Sequence, residues 1–463
     1  MGASTDIILS IEQQQLISSD VANHFSVVPV SQEANQLELK IDKAQDLSSI
    51  QEELELLLGL DVVLIQEESS VIRKCLSQYY RKTRTNEVTN VKSDFLEDLI
   101  FNTKSLGGSD IHFEIFENKG RIRIRIDGHL IERYAIELDD YLELVNKVKV
   151  KSNLDITEKR LPQDGRIEYD DFDIRVSILP TLYGEKIVMR LLRSDASNIE
   201  IASLGLDTEQ EQVYKEGIKN SSGLILISGP TGSGKTTTLY ATLKLLNDIK
   251  RNIVTVEDPI EYTLKGVNQV QLKESIGLSF ASALKSFLRQ DPDIIMLGEI
   301  RDSETAEMAV RASLTGHLVL STIHTNSAIG TISRLVDMGV APFLIAETLK
   351  LSVAQRLLRK LCPSCKQEEQ FDAQNYILPK NFNEPIATHY VPVGCDECHF
   401  TGYTGRKAIY EIIPIDAEMI SMIKENNFEG YAHKHASLSQ KAFEVFKVGV
   451  TSFEEVYPYL INM

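Results

Sequence analysis

The chain has 463 residues, which at roughly 150 residues per domain allows about three domains and a sizeable buried core. With 43% apolar and 25% charged residues it has the balance of a soluble globular protein, which excludes a wholly disordered, collagen-like or membrane-embedded chain. Lys and Arg number 49 against 67 Asp and Glu, a net charge of −18, so the overall field repels nucleic-acid backbones and anionic lipid and any phosphate must be met by a local site.

Met1 to Ser10 lacks a basic flank followed by an apolar stretch, and no run of about 18 apolar residues occurs, so a cytoplasmic, soluble protein is expected. Residues 1–80 mix the β-like runs Ser26–Val30 and Leu37–Ile41 with an acidic helical stretch, Leu47–Leu60, and predict a small α/β domain. Residues 81–92 lie in YYRKTRTNEVTNVK (79–92), which has almost no apolar periodicity and reads as a linker. A second α+β domain is predicted over 93–195. It starts with a helix at Phe95–Ile100, and RIRIRI (121–126) alternates as a half-exposed strand closed by Asp127-Gly128. Strands follow at Asp173–Leu179 and Lys186–Leu192. From 196 to 354 short apolar strands alternate with helices, the pattern of a parallel α/β sheet. A hinge is expected near 193–202.

The run Leu224–Ile227 leads into Gly229-Pro230-Thr231-Gly232-Ser233-Gly234-Lys235-Thr236, then Thr237 and a helix-compatible stretch. That is a P-loop in its strand-to-helix context. The glycines let backbone N–H groups converge on phosphates, Lys235 reaches the β/γ-phosphates, and Thr236 can ligate magnesium. Hydrolysis also needs a carboxylate near the attacking water. Asn252–Val256 ends in Glu257-Asp258-Pro259 with Glu261 beyond, and Ile294–Leu297 ends in Gly298-Glu299. Both place acids at the carboxyl ends of strands, where such sheets bind ligands; a solvated loop is the alternative for each. Gly298 stands where an Asp often helps hold magnesium, which favours Glu299 as the group activating water. His317 and His324 bracket a third strand, Leu318–Ile323, and both are expected to sense the γ-phosphate.

Here a resemblance emerges. The segments GPTGSGKTTTLY (229–240), VEDPIEY (256–262), LRQDPDIIMLGEIRDSETA (288–306) and TGHLVLSTIHTN (315–326) resemble the Walker A, aspartate, Walker B and histidine boxes of the type II secretion and type IV pilus assembly ATPases. The resemblance spans the chain beyond residue 90, and HFSVVPV (24–30) and LGLDVVLIQEE (58–68) resemble the family's N-terminal domain more weakly. It implies a RecA-like P-loop NTPase core, an α+β N-terminal domain pair, a homohexamer, ATP with Mg²⁺, and catalytic Glu299, Glu257 and His324. LPQDGRI (161–167) and DIRVSILPTLYGEKIVMRLL (173–192) are similar to the family's second domain and imply that Arg166 and Arg175 complete the site, as transition-state guanidinium from a second domain or subunit would. Arg289 and Arg301 are further candidates.

Cys362, Cys365, Cys395 and Cys398 form two Cys-x2-Cys knuckles, the pattern of a closed Zn²⁺ site of structural role. A zinc subdomain is therefore expected over 355–411, and a helical region over 412–463. The flanks VAQRLLRKLC (353–362) and GYTGRKAIYE (402–411) resemble the family's zinc-bearing insert, which retraction motors generally lack. A DNA-binding zinc ribbon is the competing reading, but the stretch between the knuckles, with Glu368, Glu369, Asp372 and Glu384, offers little basic charge. Implied partners are an inner-membrane platform protein and the cytoplasmic domain of an inner-membrane component, with membrane contact through partners and no nucleic acid. Some members bind a cyclic dinucleotide through an arginine-bearing N-terminal motif; no Arg precedes Arg73, so that mode is not expected. The rival functions are a RecA-like nucleic-acid motor and a non-catalytic ATP-dependent switch.

Overall fold

The computed structural model describes the chain apart from residues 1–6, 8, 15, 34–35, 46, 81–85, 89–93, 118, 194–199, 372–385, 429–433 and 462–463. The expected linker and hinge therefore lie largely outside the described residues, as do Asp372 and Glu384. The chain divides into two compact units, one of residues 1–86, 361–370 and 390–404, the other of residues 87–360, 371–389 and 405–463.

In the first unit, strands β1 (Val27–Glu33), β2 (Gln36–Asp42) and β3 (Asp61–Glu67) form a sheet in that order. Helices α1 (Ile11–Gln14), α2 (Ser19–Phe25), α3 (Leu47–Leu58) and α4 (Ser69–Tyr79) accompany it. Leu37, Leu39 and Ile41 are wholly buried, as the alternation in QLELKID requires of a strand with one dry face.

In the second unit, a seven-stranded sheet has the order β4-β7-β6-β5-β10-β9-β8. These are β4 (Asn86–Val88), β5 (Asp110–Ile115), β6 (Lys119–Ile126), β7 (His129–Glu137), β8 (Gln163–Glu168), β9 (Phe172–Thr181) and β10 (Gly184–Arg193). The edge strand β4 is drawn from the segment expected to be only linker. RIRIRI alternates as expected: Ile122 and Ile124 join Phe113, Ile174 and Met189 against α5 (Phe95–Ser105) and α6 (Leu138–Lys151), leaving the arginines on the opposite, polar face.

The second sheet of this unit has the order β13-β12-β14-β15-β11-β16-β19. Its strands are β11 (Gly223–Ser228), β12 (Ile253–Glu257), β13 (Asn268–Gln271), β14 (Ile294–Leu297), β15 (Leu318–Ile323), β16 (Leu349–Leu361) and β19 (Tyr403–Pro414); the short β17 (Gln367–Gln370) and β18 (Thr388–Val391) come between the last two in the chain and are not part of this sheet. From β13 across to β16 the neighbours are parallel. Continuous apolar runs such as GLILIS and IIML are buried along their whole length, which is what helices on both faces demand. Those helices include α7 (Thr208–Gly217), α8 (Lys235–Leu246), α9 (Phe280–Phe287), α10 (Ser303–Leu314), α11 (Ala328–Asp337) and α12 (Pro342–Thr348).

Of the span expected to form a zinc subdomain, residues 355–361 and 403–411 lie in β16 and β19, adjacent strands of the main sheet, with Leu358, Ile409 and Ile413 buried. The four cysteines sit in the excursion between them. The C-terminal helices α13 (Ala417–Lys424), α14 (Leu438–Lys447) and α15 (Phe453–Leu460) likewise share one apolar core with the sheet, through Met419, Phe446 and Val456 packed with Leu226 and Leu358.

Candidate nucleotide site

Parallel pairing brings the carboxyl ends of β11, β12, β14 and β15 to one sheet edge, with Ser228 level with Ile323 and Val256 level with Leu297. Gly298-Glu299 and His324, which follow β14 and β15, meet Glu257 at the end of β12 and the P-loop residues beyond β11 around one cavity of about 340 Å³. The P-loop forms its floor. Gly234 caps α8 with φ 89°, a left-handed conformation that favours glycine, and a Cβ there would lie 2.7 Å from Nε2 of Gln355. The buried Lys235 ammonium donates to Gly229 O at 2.8 Å and Pro230 O at 3.1 Å. Burial lowers its pKa, while the nearby Glu299 carboxylate opposes the shift. Thr231, Gly232, Thr236 and Thr237 line the same cavity, and Pro230 and Ser233 complete the loop.

The two candidate carboxylates are held differently. Glu257 is 3% exposed and accepts hydrogen bonds from Thr255 Oγ1 at 2.6 Å, from Gln269 Nε2 at 3.1 Å and from the Tyr240 hydroxyl. Glu299 accepts from Arg301 Nε at 2.6 Å and lies 3.0 Å from Nε2 of His324. Gly298 sits where β14 runs against β12, since a Cβ would be 3.3 Å from Val256 O; the site has little room there for an acidic side chain. The oxygen-rich set of Thr236, Glu257 and Glu299 suits a hard divalent cation.

His317 is not brought to this edge. It begins the amino end of β15, hydrogen-bonding Ala312 O at 2.9 Å behind α10, and a six-residue strand separates it from His324 by roughly 20 Å. The expectation that both histidines reach the γ-phosphate is corrected for His317; of the two, His324 lines the cavity. Arg289, two residues past the end of α9, donates to Lys285 O in its last turn and is not among the described residues lining the cavity.

Across from the P-loop domain, Arg166 and Arg175 are cross-strand partners on β8 and β9, and Arg175 is in turn level with Arg190 on β10. The three guanidinium side chains form one row along a second cavity of about 610 Å³ that also includes Gln271. Arg175 donates to Ile260 O at 3.2 Å, and Arg166 pairs with Asp173. Glu261 is open to water yet enclosed by protein on most sides; that desolvation raises its pKa, with Arg190 and Arg175 pulling it back down. Sequence reasoning missed Arg190 and two other residues. Arg356, 7% exposed, donates to Gln355 O and Asn326 O, both at 2.9 Å, beneath Gly229. Arg406 on β19 lines the nucleotide cavity, and the preceding Gly405 N donates to Asp127 Oδ2 at 2.6 Å.

The four cysteine sulfurs lie within 4.8 Å of one another, with Cys362 to Cys395 at 3.8 Å, and Cys365 to Cys398 and Cys395 to Cys398 at 3.7 Å. A tetrahedral Zn–S bond of about 2.3 Å requires sulfur separations of about 3.8 Å, so the donor set fits. Backbone N–H groups of Gly394 and Gly402 donate to Cys365 Sγ at 3.3 Å and Cys398 Sγ at 3.2 Å, favouring thiolates.

Residues 86–458 match the family model described as type II/IV secretion system protein, and residues 9–86 match the MshEN domain. The chain belongs to the type II/IV secretion system protein family. It is 39% identical over 484 residues to the type IV pilus assembly ATPase PilB of Myxococcus xanthus, covering 96% of this chain and 85% of that one. It is 48% identical over 362 residues to the type II secretion system protein E of Pseudomonas aeruginosa, covering 75% and 71%. The solved pilus retraction motor PilT with bound ADP aligns with a TM-score of 0.55 and 27% identity over 81% of this chain and all of that one. The Legionella pneumophila ATPase DotB aligns at 0.61 and 20% identity over 82% of this chain and all of that one, a likeness of fold. The core is RecA-like, and the chain is an ATPase of secretion and pilus assembly. Among the described residues no helix is long and apolar enough to cross a membrane.

Proposed function

We propose that this ATPase works as a homohexamer that powers assembly of a type II secretion pseudopilus or a type IV pilus. The observation that carries the reading is the convergence of Lys235, Glu257, Glu299 and His324 on one cavity, faced by the arginine row of the neighbouring domain. Lys235 exchanges its loop carbonyls for β/γ-phosphate oxygens. Glu299, oriented by His324 and Arg301, takes the proton of the attacking water, and Glu257 orders that water from the opposite strand end. Thr236 and the two carboxylates would hold Mg²⁺ with the phosphates, and the ion would supply neutralisation of developing charge.

Arg175 and Arg190, with Arg166 beside them, supply positive charge to the γ-phosphate when the two domains close, and hydrolysis relaxes that closure, moving one domain against the other. Zn²⁺ in the tetracysteine knuckle has a structural role. Contact with the inner membrane runs through a platform protein and the cytoplasmic domain of an inner-membrane component. Phosphate release measured with and without the reconstituted platform protein tests the reading: stimulation supports a motor of that apparatus, and stimulation by single-stranded DNA alone would replace it with a nucleic-acid motor.

A further inference from the structure

Tyr240 lies about one and a half turns into α8, the helix that the P-loop opens. It is 0% exposed, and its hydroxyl is a hub. It donates to Oε2 of Glu257, and the backbone N–H of Tyr262 and the amide of Gln269 each approach it at 3.4 Å. Gln269 also donates to Glu257 Oε1 at 3.1 Å and Tyr262 O at 2.9 Å, and the Tyr240 and Tyr262 rings meet edge to face at 5.4 Å. The segment so gathered, 257–262, presents Ile260 O to Arg175.

Among the described residues the side-chain donors to this buried carboxylate are the neutral Tyr240, Thr255 and Gln269, and each fixes where an oxygen points. We propose that Tyr240 is a positioning residue for hydrolysis, its hydroxyl fixing the Glu257 carboxylate at the nucleotide cavity and the 257–262 segment on which Arg175 docks. The inference rests on the reading that Glu257 acts at the nucleotide. Tyr240 itself touches no phosphate: it is not among the residues lining the cavity. The titratable groups set against Glu257 are Tyr240 from α8 and Glu261 from its own segment, and β13 contributes the neutral Gln269.

The test compares Tyr240→Phe, Thr255→Val and Glu257→Gln with the unaltered full chain, measuring ADP affinity by titration and kcat and KM for Mg-ATP separately. Phe keeps the ring packing and removes only the hydroxyl. Tyr240→Phe is expected to hold ADP affinity within about twofold while kcat falls roughly 10- to 100-fold, the worth of one hydrogen bond to a charged group. KM for Mg-ATP stays within about twofold, so the loss falls on kcat, as removal of an interaction made in the transition state requires. Thr255→Val, which deletes a donor to the other oxygen, reproduces the pattern and carries the test alone if Tyr240→Phe does not fold. A slow Glu257→Gln enzyme beside Tyr240→Phe and Thr255→Val enzymes of unchanged kcat overturns this inference alone. Equal loss of ADP affinity and kcat in Tyr240→Phe marks a packing role and also overturns it. A Glu257→Gln enzyme with unaltered turnover removes the Glu257 reading and the inference with it.

Discussion

His324 Nε2 stands 3.0 Å from Oε2 of Glu299, while Arg301 holds the other carboxylate oxygen at 2.6 Å through Nε. The carboxylate is thus oriented from both sides, with the histidine more exposed than the acid, at 49% against 17% of side-chain area. His324→Ala should leave ADP affinity within about twofold and lower kcat on the order of 10- to 100-fold, the contribution expected of an orienting hydrogen bond to a catalytic acid or base. Stopped-flow phosphate release alongside nucleotide titration separates the two quantities, and parallel loss in both would place His324 in binding.

Gly234 tests the floor of the site. An alanine must hold φ 89° and push its Cβ onto Gln355 Nε2 at 2.7 Å, so Gly234→Ala is expected to destabilise by about 1–3 kcal/mol and to weaken nucleotide binding. Thermal unfolding with and without ADP checks it: the ADP-dependent rise in Tm should shrink or vanish.

The arginine row predicts a separation of binding from chemistry. Arg175→Ala should bind nucleotide nearly as the unaltered chain does and lose about 10³ or more in turnover, with Arg190→Ala showing the same pattern. Mixing Arg175→Ala with Lys235→Ala chains shows whose nucleotide the arginine serves. Recovered activity in mixed oligomers means that it acts on a neighbour, and no recovery means that it acts within its own chain.

The tetracysteine knuckle should carry about one zinc per chain by elemental analysis. Cys395→Ser should lose the metal and lower the unfolding temperature before it alters nucleotide affinity. Metal-free protein of unchanged thermal stability would remove zinc from the account.

Much of this site was legible in the chain because it is built from strand ends. The runs GLILIS, IVTVE, IIML and LVLSTI are apolar enough to be buried strands of a parallel sheet, and in such a sheet the residue after each strand falls at the ligand edge. Glu299 and His324 follow from that rule, and the same rule explains why His317, at the other end of one strand, does not reach. What stayed hidden depends on register. Arg190 sits inside an ordinary strand, VMRLL, and only its pairing with Arg175 across β9 and β10 puts it in the row; pairing partners far apart in sequence leave no local mark. Arg356 and the Tyr240 hydroxyl were hidden for a related reason, since both act on backbone or side chains brought up from distant segments. The knuckle was legible from its spacing, but its flanks were assigned to it because nothing in VAQRLLRKL tells a core strand from the leg of an insert.

The central claim is that Lys235 binds the phosphates and Glu299 performs the chemistry in one cavity, and parallel ATP-binding and phosphate-release measurements on Lys235→Ala and Glu299→Gln test it most directly. The account predicts that Lys235→Ala loses nucleotide affinity, and that Glu299→Gln binds ATP with near-unaltered affinity while releasing phosphate at least about 100-fold more slowly. A Glu299→Gln enzyme with unaltered turnover would contradict it, and would move the water-activating role across the cavity to Glu257.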